Sequence, residues 1–229
     1  MRSGAFLRWM GLGLVAVGLL GCAEDELAPE FPEGSGQAAK DTDPYPAGPY
    51  GISVGSVIAN YKFVGFVNAM AESGALQEIR LSDFYNPTGT DVFSDKVPLL
   101  AGTPKPKGLV IDVSSVWCPP CNEEAATILP AKYLEYKPRG GEFLLQLADG
   151  PTPGEAAGQS DLYKWTQKYD VDYPAAIDPS YKLGALFDAD AFPANIIIKT
   201  QDMSIVEVIA GEPNAGFWST FEQVLDGTL

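Results

Sequence analysis

Leu109-Val-Ile-Asp-Val-Ser-Ser-Val-Trp-Cys-Pro-Pro-Cys-Asn-Glu-Glu-Ala-Ala-Thr127 is the stretch that decides how this chain is read. It opens on a β-branched apolar run, 109–113, that reads as a buried strand. From Asn122 to about Lys137 the residues have helical character. Between the two stand Cys118 and Cys121, separated by Pro119 and Pro120. Prolines suit the first turn of a helix, where a missing N–H costs little. Two cysteines so spaced at a strand-to-helix junction can close a small disulfide ring or open to a dithiol. A thiolate at a helix N-terminus meets unpaired amide N–H groups and the positive end of the dipole, which lower its pKa from about 8.5. Cys118 is therefore expected to be the exposed attacking sulfur, and Cys121, one turn inward, the shielded sulfur that resolves a mixed disulfide. Other uses of the pair stay open: half of a zinc site, a static structural disulfide, or two thiolates for Cu(I), a soft ion.

Asp112 interrupts the apolar strand six residues before Cys118. A carboxyl inside Leu-Val-Ile-Asp-Val is costly unless it is protonated or paired, so burial raises its pKa. That would fit it for proton transfer near neutral pH; the alternative is an outward-facing residue at the strand end.

Working outward, 57–67 and 76–81 read as a β-hairpin and 142–147 as a second core strand. Leu162–Tyr169 reads as a helix capped by Ser160 or Asp161, 195–199 and 204–209 as strands, and Phe217–Leu225 as a closing helix. Strands alternating with helices imply an α/β layer fold. Residues 50–229 form its domain.

Before it, residues 23 to about 49 are acidic and proline-rich, the composition of a flexible tether. At the start, Arg2 and Arg8 precede the eleven-residue run 10–20, too short to span a bilayer, which takes about 20 residues. This is the pattern of a cleaved secretory signal, residues 1–21. Leu19-Leu20-Gly21-Cys22 resembles the lipobox of bacterial lipoproteins. The resemblance implies lipidation at Cys22, with residues 22–49 as lipidated N-terminus and tether. Ala23 after the cysteine favours the outer over the inner membrane by that family's rule. The expected location is thus the bacterial cell envelope, anchored by lipid and facing the periplasm.

The 229 residues hold 30 acids against 15 bases, a net charge of −15, which repels phosphate and argues against nucleic-acid binding. There is no histidine, which excludes Ser–His and Cys–His nucleophiles and histidine-ligated metals. With three cysteines and Cys22 assigned to lipid, no long-range structural disulfide is left.

The active-site stretch, with Lys168-Tyr-Asp-Val-Asp-Tyr-Pro174, Ile177-Asp-Pro179, Leu183-Gly-Ala-Leu-Phe187, Phe192-Pro-Ala-Asn-Ile-Ile-Ile198 and Val208-Ile-Ala-Gly211, resembles the thioredoxin superfamily, in its extracytoplasmic TlpA/ResA-like, redoxin branch. The resemblance spans roughly 56–229. It implies a thioredoxin-like α/β fold, a central mixed sheet flanked by helices, here with an N-terminal hairpin extension. It implies a thiol–disulfide oxidoreductase with no cofactor beyond the Cys118–Cys121 disulfide. Pro193 would be the cis-proline against the cysteine pair, and Trp117 and Phe192 would meet a bound polypeptide. Asp112 would be the buried acid that serves Cys121. The partners implied are oxidised or reduced extracytoplasmic client proteins and a membrane-linked thiol electron donor or acceptor.

A disulfide-forming oxidase would use the same residues at another potential. A thiol peroxidase ranks lower, because Ile111 and Ser115 stand where its Pro-x-x-x-Thr pattern would fall. Three features depart from the family pattern. Pro119 replaces a common glycine, Pro130 falls about a turn later than the usual kinking proline, and Glu123 and Glu124 would partly oppose a nearby thiolate.

Overall fold

In the computed structural model the described residues are 42–71, 76–186 and 191–229. Cys22, the expected signal, most of the expected tether and Phe187 lie outside them. All described residues fall within one compact unit.

The centre is a seven-stranded mixed sheet in the order β2-β1-β5-β4-β3-β6-β7. Its strands are β1 (Lys62–Phe66), β2 (Gln77–Arg80), β3 (Gly108–Ser115), β4 (Gly141–Asp149), β5 (Ala175–Ile177), β6 (Ala194–Lys199) and β7 (Ser204–Ala210). β3, β4 and β5 are parallel; β6 joins β3 antiparallel, and β7 joins β6 antiparallel. The β1–β2 hairpin is antiparallel and adds to the same sheet through β5. Gly65 allows that junction, since a Cβ there would stand 2.0 Å from the Ala175 carbonyl oxygen.

The helices are the single turn α1 (Leu81–Phe84), then α2 (Pro119–Thr127), α3 (Leu129–Tyr136), α4 (Gln159–Lys168) and α5 (Ala215–Asp226). From β3 to β4 to β5 the chain steps across the sheet in one direction. The two crossovers put α2–α3 and α4 on one face. Phe143, Leu145, Leu162, Trp165, Phe217 and Phe221 pack there in one cluster with both cysteines. On the other face Leu109, Ile111, Val113, Ile196 and Ile198 pack in one cluster with Phe63 and Ile79 of the hairpin strands, α1, the 85–105 segment and the 3-10 turn Lys182–Leu186. Covered on both sides, β3 is buried along its whole length, as its β-branched apolar residues foretell, and Asp112 is buried with them.

Two local expectations need correction, and one strand went unforeseen. The helix read from Asn122 to Lys137 is two helices, α2 and α3, broken at Ile128. Pro130 has no N–H for the carbonyl of Ala126, so the ladder is interrupted there. The N-cap of α4 is Gly158; Asp161 lies inside the first turn, and its Oδ2 accepts from the Gly158 N–H at 3.0 Å. Short β5 was not read as a strand at all. In addition, part of the stretch read as tether is packed. The Tyr45 hydroxyl donates to the Ile58 carbonyl at 2.9 Å, and Lys96 pairs with Asp43.

Candidate active site

The site forms where β3 gives way to α2. The β3–β4 register shifts by one residue between Ser114 and Ser115, so that Ser115 pairs with Asp149. The Val116 N–H then donates to the Asp149 carbonyl at 3.0 Å, and the Cys118 N–H to the Ser115 carbonyl at 3.1 Å. Cys118 is the N-cap of α2, with Pro119 and Pro120 in the first turn. Its Sγ accepts from the Cys121 N–H at 3.2 Å, so the sulfur sits where helix amides converge. Cys118 and Cys121 form a disulfide, with their Cα atoms 5.3 Å apart.

Asn122 braces this turn, a role that its sequence position did not reveal. Its Nδ2 donates to the carbonyls of Val116 and Cys118, while its Oδ1 accepts from Lys168 Nζ and the Tyr169 hydroxyl.

The expectation that Cys118 is exposed needs correction. Cys118 is 2% exposed and Cys121 fully buried, so the asymmetry between the two sulfurs is slight. Trp117 and Phe192 pack partly buried against the cluster that holds both cysteines, their rings 6.0 Å apart and edge to face. Trp117 is fixed by its indole N–H, which donates to Asp149 Oδ2 at 3.0 Å. The Phe192–Pro193 bond is cis, and the Pro193 carbonyl accepts from the Gly211 N–H at 2.7 Å.

On the helix-covered face of the sheet lies a pair of buried acids. Asp112 is 2% exposed and faces inward; among the described residues its oxygens accept only from the Ser114 hydroxyl, at 2.9 and 3.1 Å. Glu124 is fully buried, one turn past Cys121 on the same side of α2. Its Oε1 accepts from Asn195 Nδ2 at 3.0 Å, and its Oε2 finds no donor among the described residues. Asn195 stands directly opposite Asp112 in the β3–β6 register.

Burial pushes both carboxyls well above the usual carboxylate range, and for Glu124 the neighbouring Asp112 pushes further. The hydrogen bonds from Ser114 and Asn195 only partly offset this. Two like charges so close do not both ionise near neutral pH, so the pair retains a proton it can exchange. Sequence reasoning found Asp112 but took Glu124 for a charge at a helix terminus. The signal available was its three-residue spacing from Cys121.

Among the described residues no three histidine, cysteine, aspartate or glutamate side chains gather as a metal-binding set.

A disulfide at a helix N-cap, a cis-proline that follows the Phe192 ring packed on Trp117, and a buried acid on the central strand thus meet on one thioredoxin-like fold. The chain has a thioredoxin-like fold. It is similar to the thiol-disulfide oxidoreductase ResA of Bacillus cereus (strain ZK / E33L), 28% identical over 108 residues, which are 47% of this chain. The chain thus spans 57% of the length of that curated relative. No family model matches.

Its fold is that of a structure assigned as the thiol:disulfide interchange protein DsbE from Chlorobium tepidum. That likeness has a TM-score of 0.52 at 16% identity, over 77% of this chain and 98% of that one. A secreted thiol-disulfide isomerase from Corynebacterium glutamicum is similar at a TM-score of 0.51 and 16% identity, over 75% of this chain and 86% of that one.

Proposed function

We propose that this protein is a thiol–disulfide oxidoreductase that reduces or exchanges disulfides of extracytoplasmic proteins through Cys118 and Cys121. The observation that carries the reading is a disulfide at the N-cap of α2 packed on the same side of the sheet as two buried, proton-holding carboxyls.

In the reducing direction, Cys118 thiolate attacks one sulfur of the client disulfide. That bond breaks, and the other client sulfur leaves as a thiolate that takes a proton. Cys121 then gives its proton to the Asp112–Glu124 pair and attacks Cys118 Sγ. The client's second thiol departs and the Cys118–Cys121 disulfide re-forms, so two electrons have passed to the client. The partial cover of Trp117 and Phe192 keeps the sulfurs from bulk water until a polypeptide docks.

The signal-like residues 1–21 support an extracytoplasmic setting, and the Corynebacterium glutamicum neighbour is a secreted protein. In this reading Cys22 carries lipid on the envelope membrane, the outer one by the lipobox rule, and a membrane-linked thiol donor restores the dithiol. The disulfide is the only redox group the reaction needs.

The test is titration of the full chain against glutathione redox buffers, with thiol trapping. A potential near or below about −250 mV supports a reductase; one near about −120 mV makes the same residues a disulfide-forming oxidase. A pair that no native condition reduces overturns the catalytic reading.

A further inference from the structure

Beside the disulfide is a half-open cleft of about 460 Å³, whose lining includes Trp117, Phe192, Tyr181, Asp149 and Asp178. Its three aromatic residues are in register with one another: Tyr181 and Phe192 have ring centroids 5.8 Å apart, and Phe192 and Trp117 6.0 Å apart. The two acids are the only charged residues in that lining.

Asp178 is the unusual one. It is 1% exposed; its Oδ2 accepts from the Leu183 N–H at 3.1 Å, but its Oδ1 finds no donor among the described residues. A buried acceptor left unsatisfied costs about 1–3 kcal/mol, so such groups ask for an explanation.

The turn that carries it is held in an uncommon shape. Tyr181 has φ +50°, a left-handed conformation that non-glycine residues seldom adopt. Gly184 makes room for its ring, since a Cβ there would stand 2.3 Å from the tyrosine ring atoms. Strain of this kind persists where the surroundings enforce it, often at binding sites.

A cleft lined by two acids and three aromatic rings, with Asp149 half-buried at its wall and Asp178 behind it holding an unmet acceptor, suits a cation, which gains both ion pairing and attraction to the rings. We infer that this cleft receives the arginine or lysine side chain of a client polypeptide beside its reactive cysteine, so that the protein selects disulfides flanked by a basic residue. This rests on the oxidoreductase reading and names its substrate class. The flat guanidinium group fits better than ammonium, because it stacks on rings while it pairs with carboxylates.

The net charge of −15 would draw any cationic peptide from a distance, so the test must separate steering from seating. The probes are short synthetic peptides, each with one internal disulfide, identical except for one residue. Next to a cysteine they carry arginine, its neutral analogue citrulline, or glutamate; a fourth carries the arginine eight residues away. The reduced full chain is mixed with each in 0.5 M salt, where exposed charges farther apart than a few ångströms are screened.

The expected result is reduction of the adjacent-arginine peptide at least 10-fold faster than the citrulline and distant-arginine peptides, with the glutamate peptide slowest. Asp178→Asn should bring the arginine-to-citrulline ratio to below 3-fold. The wild-type comparison needs no variant, so it stands even if Asp178→Asn fails to fold. Equal rates for arginine and citrulline, or for near and distant arginine, would overturn the inference while leaving the oxidoreductase intact. Reduction of none of the four would remove the oxidoreductase reading, and this one with it.

Discussion

Two groups of buried acids in this molecule live under opposite rules. Glu142, 1% exposed at the start of β4, has Lys137 at its carboxylate and the Phe143 N–H at 3.2 Å. Burial still raises its pKa, but Lys137, Phe143 and the Tyr133 hydroxyl all pull it back. Glu78, at β2, has the guanidinium of Arg80, itself among the largest fully buried side chains. Asp112 and Glu124 have a serine hydroxyl, an asparagine amide and each other. Burying a charge without a counter-charge costs several kcal/mol unless it is neutralised. The first group is neutralised by a cation and is inert. The second can be neutralised only by a proton, which is what makes it useful beneath a dithiol. The type of the partner, not the depth of burial, separates structural acid from working acid.

The sharpest way to break that contrast is to take the cation from the inert group. Arg80→Met leaves the Glu78 charge buried without its guanidinium, and should lower stability by about 3–5 kcal/mol in urea unfolding. The redox potential of the cysteine pair should not move. A loss below about 1 kcal/mol would mean that water or relaxation already serves Glu78, and that the two groups are less distinct than drawn.

Next comes Glu124→Gln, which keeps the shape and the Asn195 contact but cannot take a proton. Attack by Cys121 on a trapped mixed disulfide should slow by about 10²-fold at pH 7, with less loss at high pH, where the thiol ionises unaided. An unchanged rate and pH profile would assign proton transfer to Asp112 alone.

How far this contrast was legible in the sequence depends on range. The site's skeleton is local: β3, the cysteine pair and the first turn of α2 lie within one stretch, and strand, prolines and spacing identify them. Asp112 announced itself because it breaks an apolar run. Glu124 did not, because a glutamate early in a helix is ordinary; only the packing of α2 on β3 and β6 turns it inward. Arg80 with Glu78, and Lys137 with Glu142, depend on tertiary placement in the same way. β5 was missed for another reason. Ala175 and Ala176 have little strand preference, and three residues carry no periodicity, yet β1 and β4 hold them in the sheet from either side. Near burial of Cys118 likewise follows from Trp117 and Phe192 meeting across the fold, 75 residues apart.

A third expected effect comes from pH. Both working carboxyls have folded pKa values raised above the unfolded ones, so the folded state binds protons more tightly. That contribution to stability is fully present below the unfolded carboxylate values, near about 4, and is lost as pH rises through the raised folded values. Wild type should therefore weaken relative to Glu124→Gln between pH 5 and pH 9, by on the order of 2 kcal/mol. Parallel stability curves for the two proteins would show that Glu124 is already ionised when buried.

Lys137→Met should have the smallest effect, although it too removes the cation from a buried acid. The Lys137 side chain is 45% exposed, whereas Arg80 is 2% exposed. An ammonium at the surface is already partly screened, and its loss opens a path for water to Glu142, which keeps the Phe143 N–H and the Tyr133 hydroxyl. We expect a loss of about 1 kcal/mol, and a Glu142 pKa that rises further as its strongest opposing charge disappears. The variant then shifts Glu142 part of the way from the inert group toward the working one, by the one substitution that makes its neutralisation depend on a proton. If Glu142 instead stayed fully ionised through pH 5, with stability unchanged, its backbone and hydroxyl donors would suffice. Neutralisation by a cation would then not be what distinguishes the two groups.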